Sequence, residues 1–433
     1  MKIIIYRGTH EIGGTLIELK TEKSRILLDA GYPLFLNGLA IDNSVASLGY
    51  KKLLELGVIP KISGLYKWDE PNFDALIISH AHIDHYGLLK YVHPDIPVYM
   101  SAGTKRLIEV SQLFRIVDNF NLVTTEFKMY EAFQVKDFII KPYLMDHSAF
   151  DAAAFEISAE GKTVIYSGDF RGHGRKGCCL DMFIQGATKQ ADILLTEGTM
   201  LGRQDELVQT EDELKDEIIR EIERQSGPVL FQSSSQNIDR IVSFYKAAAT
   251  LGRIFVVDIY TANVLYELRR LGNNSLPFPS SRYPYIKVFY PYRLTQKIFN
   301  EIGEEYAKRF STFHIPKEKL EAEQNNIVMM VRPSMLKDLE YCKFHDGRFI
   351  YSMWQGYRAS EYQQKFERYL QSVGFITEPP VHTSGHASVA DIKKMIAGLD
   401  PKKIVPIHTM VPDAFTDFSN KIEIQKDGRE FEV

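Results

Sequence analysis

The residues best suited to chemistry are crowded into one stretch, His80-Ala81-His82-Ile83-Asp84-His85. Three imidazoles and a carboxylate are donors suited to Zn²⁺, and no thiolate joins them, which leaves a bound ion open to water and substrate. In extended chain His80 and His82 face one way, whereas Asp84 and His85 pass over a turn to face another. That disposition accommodates two divalent ions and the hydrolytic use of metal-activated water. A solvated polar loop is the bland alternative. Against it, the apolar run Leu76-Ile77-Ile78-Ser79 reads as a buried strand, and ligands converge on loops that strands hold.

The elements that must position this cluster change character along the chain. Up to about Met200 the apolar runs are short, β-rich and closely spaced (KIIIYRG, TLIELK, RILLDAG, ALIISH, PVYMSA, DFIIKPYLM, TVIYSGD, DILLTEG), with one clear helix after Thr104. After Met200 helices and strands alternate: helix EDELKDEIIREIERQSG, strand PVLFQSS, helix SQNIDRIVSFYKAAATLG, strand RIFVVDI and helix ANVLYELRRLG. A further strand and helix, NNIVMMVRP and SMLKDLEYCK, follow near residue 330. This alternation predicts an open parallel sheet with helical crossovers. From about Gly374 isolated histidines return around VHTSGHAS, followed by a helix at VADIKKMIAGLD and the strand KKIVPIHT.

Composition narrows the classes. The chain has 433 residues, 45% hydrophobic and 25% charged, enough for more than one core. Arg7 interrupts the first apolar run too early for a secretory leader, and no later run reaches a membrane span, so no membrane partner and a cytoplasmic location are expected. Cys178, Cys179 and Cys342 are too few for a disulfide framework. A net charge of −4 means that a nucleic acid would be held in a local groove.

The His80–His85 stretch resembles the second motif of metallo-β-lactamase-fold hydrolases. Asp29 in ILLDAG, His147 in YLMDHSAFD and Asp169 in VIYSGDF follow the order of that family's other motifs, although singly each also reads as a turn, core or surface residue. The resemblance implies that His80, His82 and His147 hold one metal and Asp84 and His85 a second. Asp169 would bridge them, and Asp29 would orient the ligand loop from behind. The ions would be zinc, with manganese as the alternative.

The α/β insertion and the late histidines resemble the β-CASP subgroup, most closely RNase J-like nucleases. Glu197 in LLTEGT, His386 in TSGHAS and His408 in VPIHT occupy its remaining motif places, with His408 added to the metal residues. In family terms a histidine at the last place accompanies RNA-processing members and valine the DNA-repair members. The fold class implied is α/β, an αββα metallo-β-lactamase sandwich with an inserted β-CASP domain. The expected boundaries are 1–202 and 360–433 for the sandwich and 203–359 for the insertion. Two departures stand out: His408-Thr409-Met410 replaces the RNase J pattern His-Gly-Glu, and the C-terminal domain of the long bacterial enzymes is missing.

The mechanism so implied puts Asp84 among the catalytic metal residues. His386 supplies the proton to the leaving oxygen, and Glu197 keeps that imidazole protonated. Ser233, Ser234, Ser235 and Asn237, between strand PVLF and a helix, together with the turn at Ser384, Gly385 and Ser388, read either as a phosphate cradle or as helix caps, with Ser235 the expected N-cap. Phe170-Arg171-Gly172-His173-Gly174-Arg175-Lys176 reads either as a phosphate-contacting loop or as a solvated basic one. His10 reads as a cleft residue or part of a turn, and His93, His314 and His345 as surface residues. The expected substrate is single-stranded RNA, cleaved from an end or internally, and a homodimer is one assembly. The alternatives are a DNA nuclease of the same fold, a small-molecule ester or lactone hydrolase, and a non-catalytic subunit.

Overall fold

The computed structural model describes every residue except 37, 42, 204–207, 273–274 and 378. It forms two compact units: 1–108, 118–206 and 385–433 make the first, and 109–117 with 207–384 the second.

The first unit is built on two sheets. The seven-stranded sheet runs, edge to edge, Glu430–Glu432, Lys2–Arg7, Leu16–Lys20, Arg25–Leu28, Ala75–Ile77, Val98–Ser101 and Thr124–Phe127. The six-stranded sheet runs Lys403–Ile407, Ile193–Glu197, Lys162–Tyr166, Ala153–Ala159, Phe138–Leu144 and Phe133–Val135. Alternation along the strands sends Ile3, Ile5, Ile17, Leu19, Ile26 and Leu28 from one sheet against Phe155, Ile157, Val164, Leu195, Val405 and Ile407 of the other, all buried. The second sheet's opposite face, including Ile165, Leu194 and Ile404, packs under Leu180 and Phe183 of helix Cys178–Gly186 and Ile392 and Met395 of helix Val389–Leu399. This is the expected αββα sandwich.

Strand direction decides where its loops gather. Arg25–Leu28, Ala75–Ile77 and Val98–Ser101 are mutually parallel, as are Lys162–Tyr166, Ile193–Glu197 and Lys403–Ile407. Phe138–Leu144 shares the second direction through two antiparallel pairings. Asp29, His80, His147, Asp169, Glu197 and His408 therefore all lie at the carboxyl ends of strands, or just beyond them, where α/β sheets collect ligands.

The second unit contains a six-stranded, wholly parallel sheet in the order Ile286–Phe289, Ile254–Asp258, Ile327–Met330, Val229–Gln232, Arg348–Tyr351, Ile376–Thr377. The expected alternation is present, with corrections at its ends. The insertion does not close at 359: Ile376–Thr377 pairs with Arg348–Tyr351, and Phe366 and Leu370 of helix Glu361–Ser372 enter this sheet's core, so 360–384 stays with the second unit. The join expected at 202/203 adjoins residues 204–207, outside the described ones. The helix placed from Ala262 begins at Ile259, because Asp258 caps it by accepting the Thr261 N–H. Among the described residues no helix is long and apolar enough to cross a membrane.

Candidate metal and proton-transfer site

The turn that carries the ligands is held by backbone. Helix Ile83–Tyr86 follows His82, with His82 O accepting from His85 N. Thr15 N donates to Asp84 O at 3.1 Å, Ala30 N to His85 O at 2.8 Å and Tyr32 N to Ile83 O at 3.0 Å. Gly31 is required by this contact, since a Cβ there would lie 1.8 Å from Asp84 O. Gly31→Ala is therefore expected to lower Tm by several degrees, in line with an overpacking cost of roughly 1–3 kcal/mol, and to reduce metal retention. A thermal melt matching wild type would show that the turn can yield.

Behind the turn, buried Asp29 is saturated with donors. Oδ1 accepts from Ser79 N at 2.7 Å, while Oδ2 accepts from Ser79 Oγ at 2.8 Å, His85 Nδ1 at 2.8 Å and the Tyr166 hydroxyl. Because the Ser79 hydroxyl donates to Asp29, it accepts from His80 Nδ1 at 3.0 Å. His147 Nδ1 donates to the Gly385 carbonyl, and His408 Nδ1 meets Thr15 Oγ1 at 2.9 Å. One ring nitrogen of each is thereby engaged and the other turned inward, as metal-binding imidazoles require.

The inward nitrogens converge. His82 Nδ1 lies 3.2 Å from His80 Nε2 and 3.1 Å from His147 Nε2, so one proton on His82 can serve only one of the two contacts and lone pairs face one another at the other. Asp169 Oδ2 lies 3.1 Å from His85 Nε2, 3.6 Å from His408 Nε2 and 3.8 Å from His80 Nε2, and His408 Nε2 is 3.7 Å from Asp84 Oδ2. His85 Nε2, Asp169 Oδ2 and His408 Nε2 are buried without a hydrogen bond of good geometry. Such an arrangement is costly unless a cation resolves it. Four overlapping sets qualify: His80/His82/His147, His80/His85/Asp169, Asp84/His85/His408 and Asp169/His386/His408, with donors in each set within 4.8 Å. The donors fit divalent metal.

Protonation follows burial and neighbouring charge. Burial holds His80 and His147 well below the usual imidazole range, His82 at about 4 and His408 below its ordinary value, so their lone pairs are free at neutral pH. Burial opposes a proton on His85 as well, but Asp169 and Asp29 outweigh it and raise this imidazole well above its usual value. Metal must displace that proton. Affinity is accordingly expected to rise roughly tenfold per pH unit while His85 is protonated, with proton release near neutrality. Calorimetric titration in buffers of different ionisation enthalpy checks this, and buffer-independent heats would contradict it.

His386 stands beside the cluster, with Nδ1 3.1 Å from Glu197 Oε2 and 3.6 Å from Asp169 Oδ2. Burial disfavours its charge, but Glu197 and then Asp169 raise it to about 9. Buried Glu197 also accepts from Phe170 N at 2.9 Å and Ala387 N at 3.3 Å, tying the Asp169 loop to the His386 loop.

The remaining candidates are more scattered. Asn237, not Ser235, caps helix Ile238–Thr250, accepting from Arg240 N. Ser235 is buried and bonds Thr261 Oγ1 at 2.8 Å and Arg332 at 2.9 Å. Ser388 is committed to a capping box with Asp391, and Gly385 to receiving His147. Ser233 is buried, Ser234 is exposed and accepts from Gln236 N, and Ser384 is buried; all three belong to the second unit. The 170–176 loop is not a solvated basic one: Arg171 is fully buried with its Nε 3.5 Å from Asp146 Oδ1, and the Lys176 ammonium sits 4.4 Å over the Phe150 ring. His10 is exposed against Thr9 Oγ1, and His314 and His345 are exposed. Ser79, Tyr166, Thr15 and Gly31 were not singled out from sequence. Ser79, adjoining His80 at a strand end, offered the one local signal.

Comparison with known proteins matches residues 60–221 to the beta-lactamase superfamily domain and 380–433 to the Zn-dependent metallo-hydrolase RNA specificity domain. Ribonuclease J of Helicobacter pylori strain B128 is 22% identical over 453 aligned positions, covering 94% of this chain and 56% of that protein. The chain is thus similar to ribonuclease J proteins over most of its length and carries a match to the beta-lactamase superfamily domain. It spans little more than half the length of that relative. A "Probable RNase MJ4" of Methanocaldococcus jannaschii is 30% identical over 200 positions, 39% of each chain. In fold, the chain matches a crystal structure of a protein of unknown function from Enterococcus faecalis V583, with TM-score 0.77, 20% identity and 99% of both chains covered. The likeness of fold thus extends over nearly the whole chain.

Proposed function

We propose that the chain is a two-metal ribonuclease that cleaves RNA phosphodiester bonds with metal-activated water. The observation that carries this reading is the convergence of buried, unsatisfied donors on one locus beside the His386–Glu197 pair. His80, His82 and His147 would hold one ion, Asp84, His85 and His408 the other, and Asp169 would be shared. The ions would be zinc, with manganese the alternative. Bound there, they supply Lewis-acid charge that acidifies water and neutralises charge developing on phosphoryl oxygens.

The chain's own groups do the rest. Asp29 orients His85, Ser79 orients His80, the Gly385 carbonyl orients His147 and Thr15 orients His408, so that each inward nitrogen is fixed before substrate arrives. His386 holds the proton that the departing oxygen needs, and Glu197 positions it and keeps it charged. RNA as substrate is supported by the match of 380–433 to an RNA specificity domain and by relatives named Ribonuclease J.

The deciding assay is hydrolysis of end-labelled single-stranded RNA and matched DNA, with 5′ monophosphate or 5′ hydroxyl ends, by metal-loaded wild type and Asp84→Ala. Cleavage of RNA alone, abolished in the variant, is expected; product length then reads end-wise or internal cutting, and a monophosphate preference reads recognition of the 5′ end. Metal-loaded protein that cleaves neither polymer would overturn the ribonuclease reading in favour of small esters or lactones.

A further inference from the structure

One surface of the first unit carries an exposed aromatic stack. The Trp68 indole is sandwiched between Tyr50, with centroids 4.4 Å apart and planes inclined at 19°, and Tyr66, at 4.8 Å and 22°. Tyr66 is buried and anchored by its hydroxyl to Pro60 O at 2.7 Å, whereas Tyr50 and Trp68 are each 37% exposed. Tyr91 packs against the same indole at 6.3 Å, and Lys67 N bonds Tyr91 O at 3.0 Å. A water-facing stack of flat rings leaves apolar surface in solvent.

The charges around it have a sign. Lys51 adjoins Tyr50, Lys67 adjoins Trp68, and Lys61 adjoins the Pro60 carbonyl that anchors Tyr66; all three are exposed, and none makes an ion pair among the described residues. Of the acids nearby, Asp69 accepts from Gly64 N, Glu55 is exposed but paired with Lys52, and Glu70 is exposed. Tyr91 lies six residues after His85, which bounds their separation at about 20 Å of extended chain. Exposed rings interleaved with free ammonium groups are the elements of a sequence-tolerant platform for single-stranded nucleic acid, with bases stacking on rings and phosphates meeting cations.

We propose that the outer face of Tyr50, backed by Trp68 and flanked by Lys51, Lys61 and Lys67, forms an outlying stacking site that holds single-stranded RNA beyond the nucleotides at the metal centre. The proposal rests on the ribonuclease reading for its choice of polymer, and its test does not depend on cleavage. Trp68 and Trp354 are the two tryptophans of the chain. In full-length Trp354→Phe protein, fluorescence therefore reports Trp68 alone. Titration with uncleavable 2′-O-methyl RNA of about ten nucleotides is expected to quench it, with affinity falling as salt rises. Tyr50→Ala and the double substitution Lys51→Glu/Lys67→Glu should each weaken binding about tenfold and raise KM for long RNA, with kcat on a dinucleotide unchanged. The lysine pair guards against a folding defect, since both side chains stand in solvent. Quenching without hydrolysis of any RNA would keep the platform while removing the ribonuclease reading. Hydrolysis with no quenching and unaltered KM in these variants would overturn the platform alone, as would quenching by matched DNA but not by RNA.

Discussion

Asp169→Asn is expected to lower RNA hydrolysis about a thousandfold or more and to strip metal from the protein. Asp169 Oδ2 is the atom on which His80, His85 and His408 converge, at 3.8, 3.1 and 3.6 Å. An amide there loses the charge that offsets the ions and presents, in one orientation, a donor where only acceptors fit. A loss of several kcal/mol of charge stabilisation corresponds to about that factor. Metal analysis of the purified variant beside its turnover checks it; full metal occupancy with wild-type turnover would show that Asp169 is not shared. Asp29→Asn makes a graded comparison. It keeps the shape behind His85 but weakens the charge that orients it, so metal affinity is expected to fall about 10–100-fold, with activity returning at high metal concentration.

The second large effect belongs to the proton. His386→Ala is expected to cut turnover by about 10²–10⁴ while metal content stays near wild type, because the other donors remain in place. Glu197→Gln separates positioning from acid chemistry. The carboxylate raises the His386 imidazole, so its removal lowers that imidazole's pKa and makes the proton leave at lower pH. The alkaline limb of the rate profile should therefore move to lower pH, with KM less affected than kcat. An unmoved limb in Glu197→Gln would assign that limb to another group, and undiminished turnover in His386→Ala would remove the imidazole from the reaction.

The part of this site legible in the chain by itself was the part that is local. His80, His82, Asp84 and His85 are neighbours in sequence, and a buried strand before them and a turn through them were enough to imply facing donors. The parallel sheet of the second unit was equally legible, because amphipathic helices and apolar strands carry their periods within short windows. Asp29, His147, Asp169, Glu197, His386 and His408 were identified through family resemblance, since nothing within a window of sequence says that 29 will meet 166, or 197 meet 386. Tertiary structure decided what holds them: Ser79 relaying between Asp29 and His80, Tyr166 closing on Asp29, and Gly31 admitting the Asp84 carbonyl at a distance no side chain allows. It also decided what the serines bond. Asn237 took the cap expected of Ser235, because Ser235 turned inward to Thr261 and Arg332. The return to the first unit moved to Gly385 for the same kind of reason, because strand pairing carried Ile376–Thr377 onto the inserted sheet. Residue type and spacing determine which atoms can bind; long-range pairing determines which of them are left with nothing else to bind.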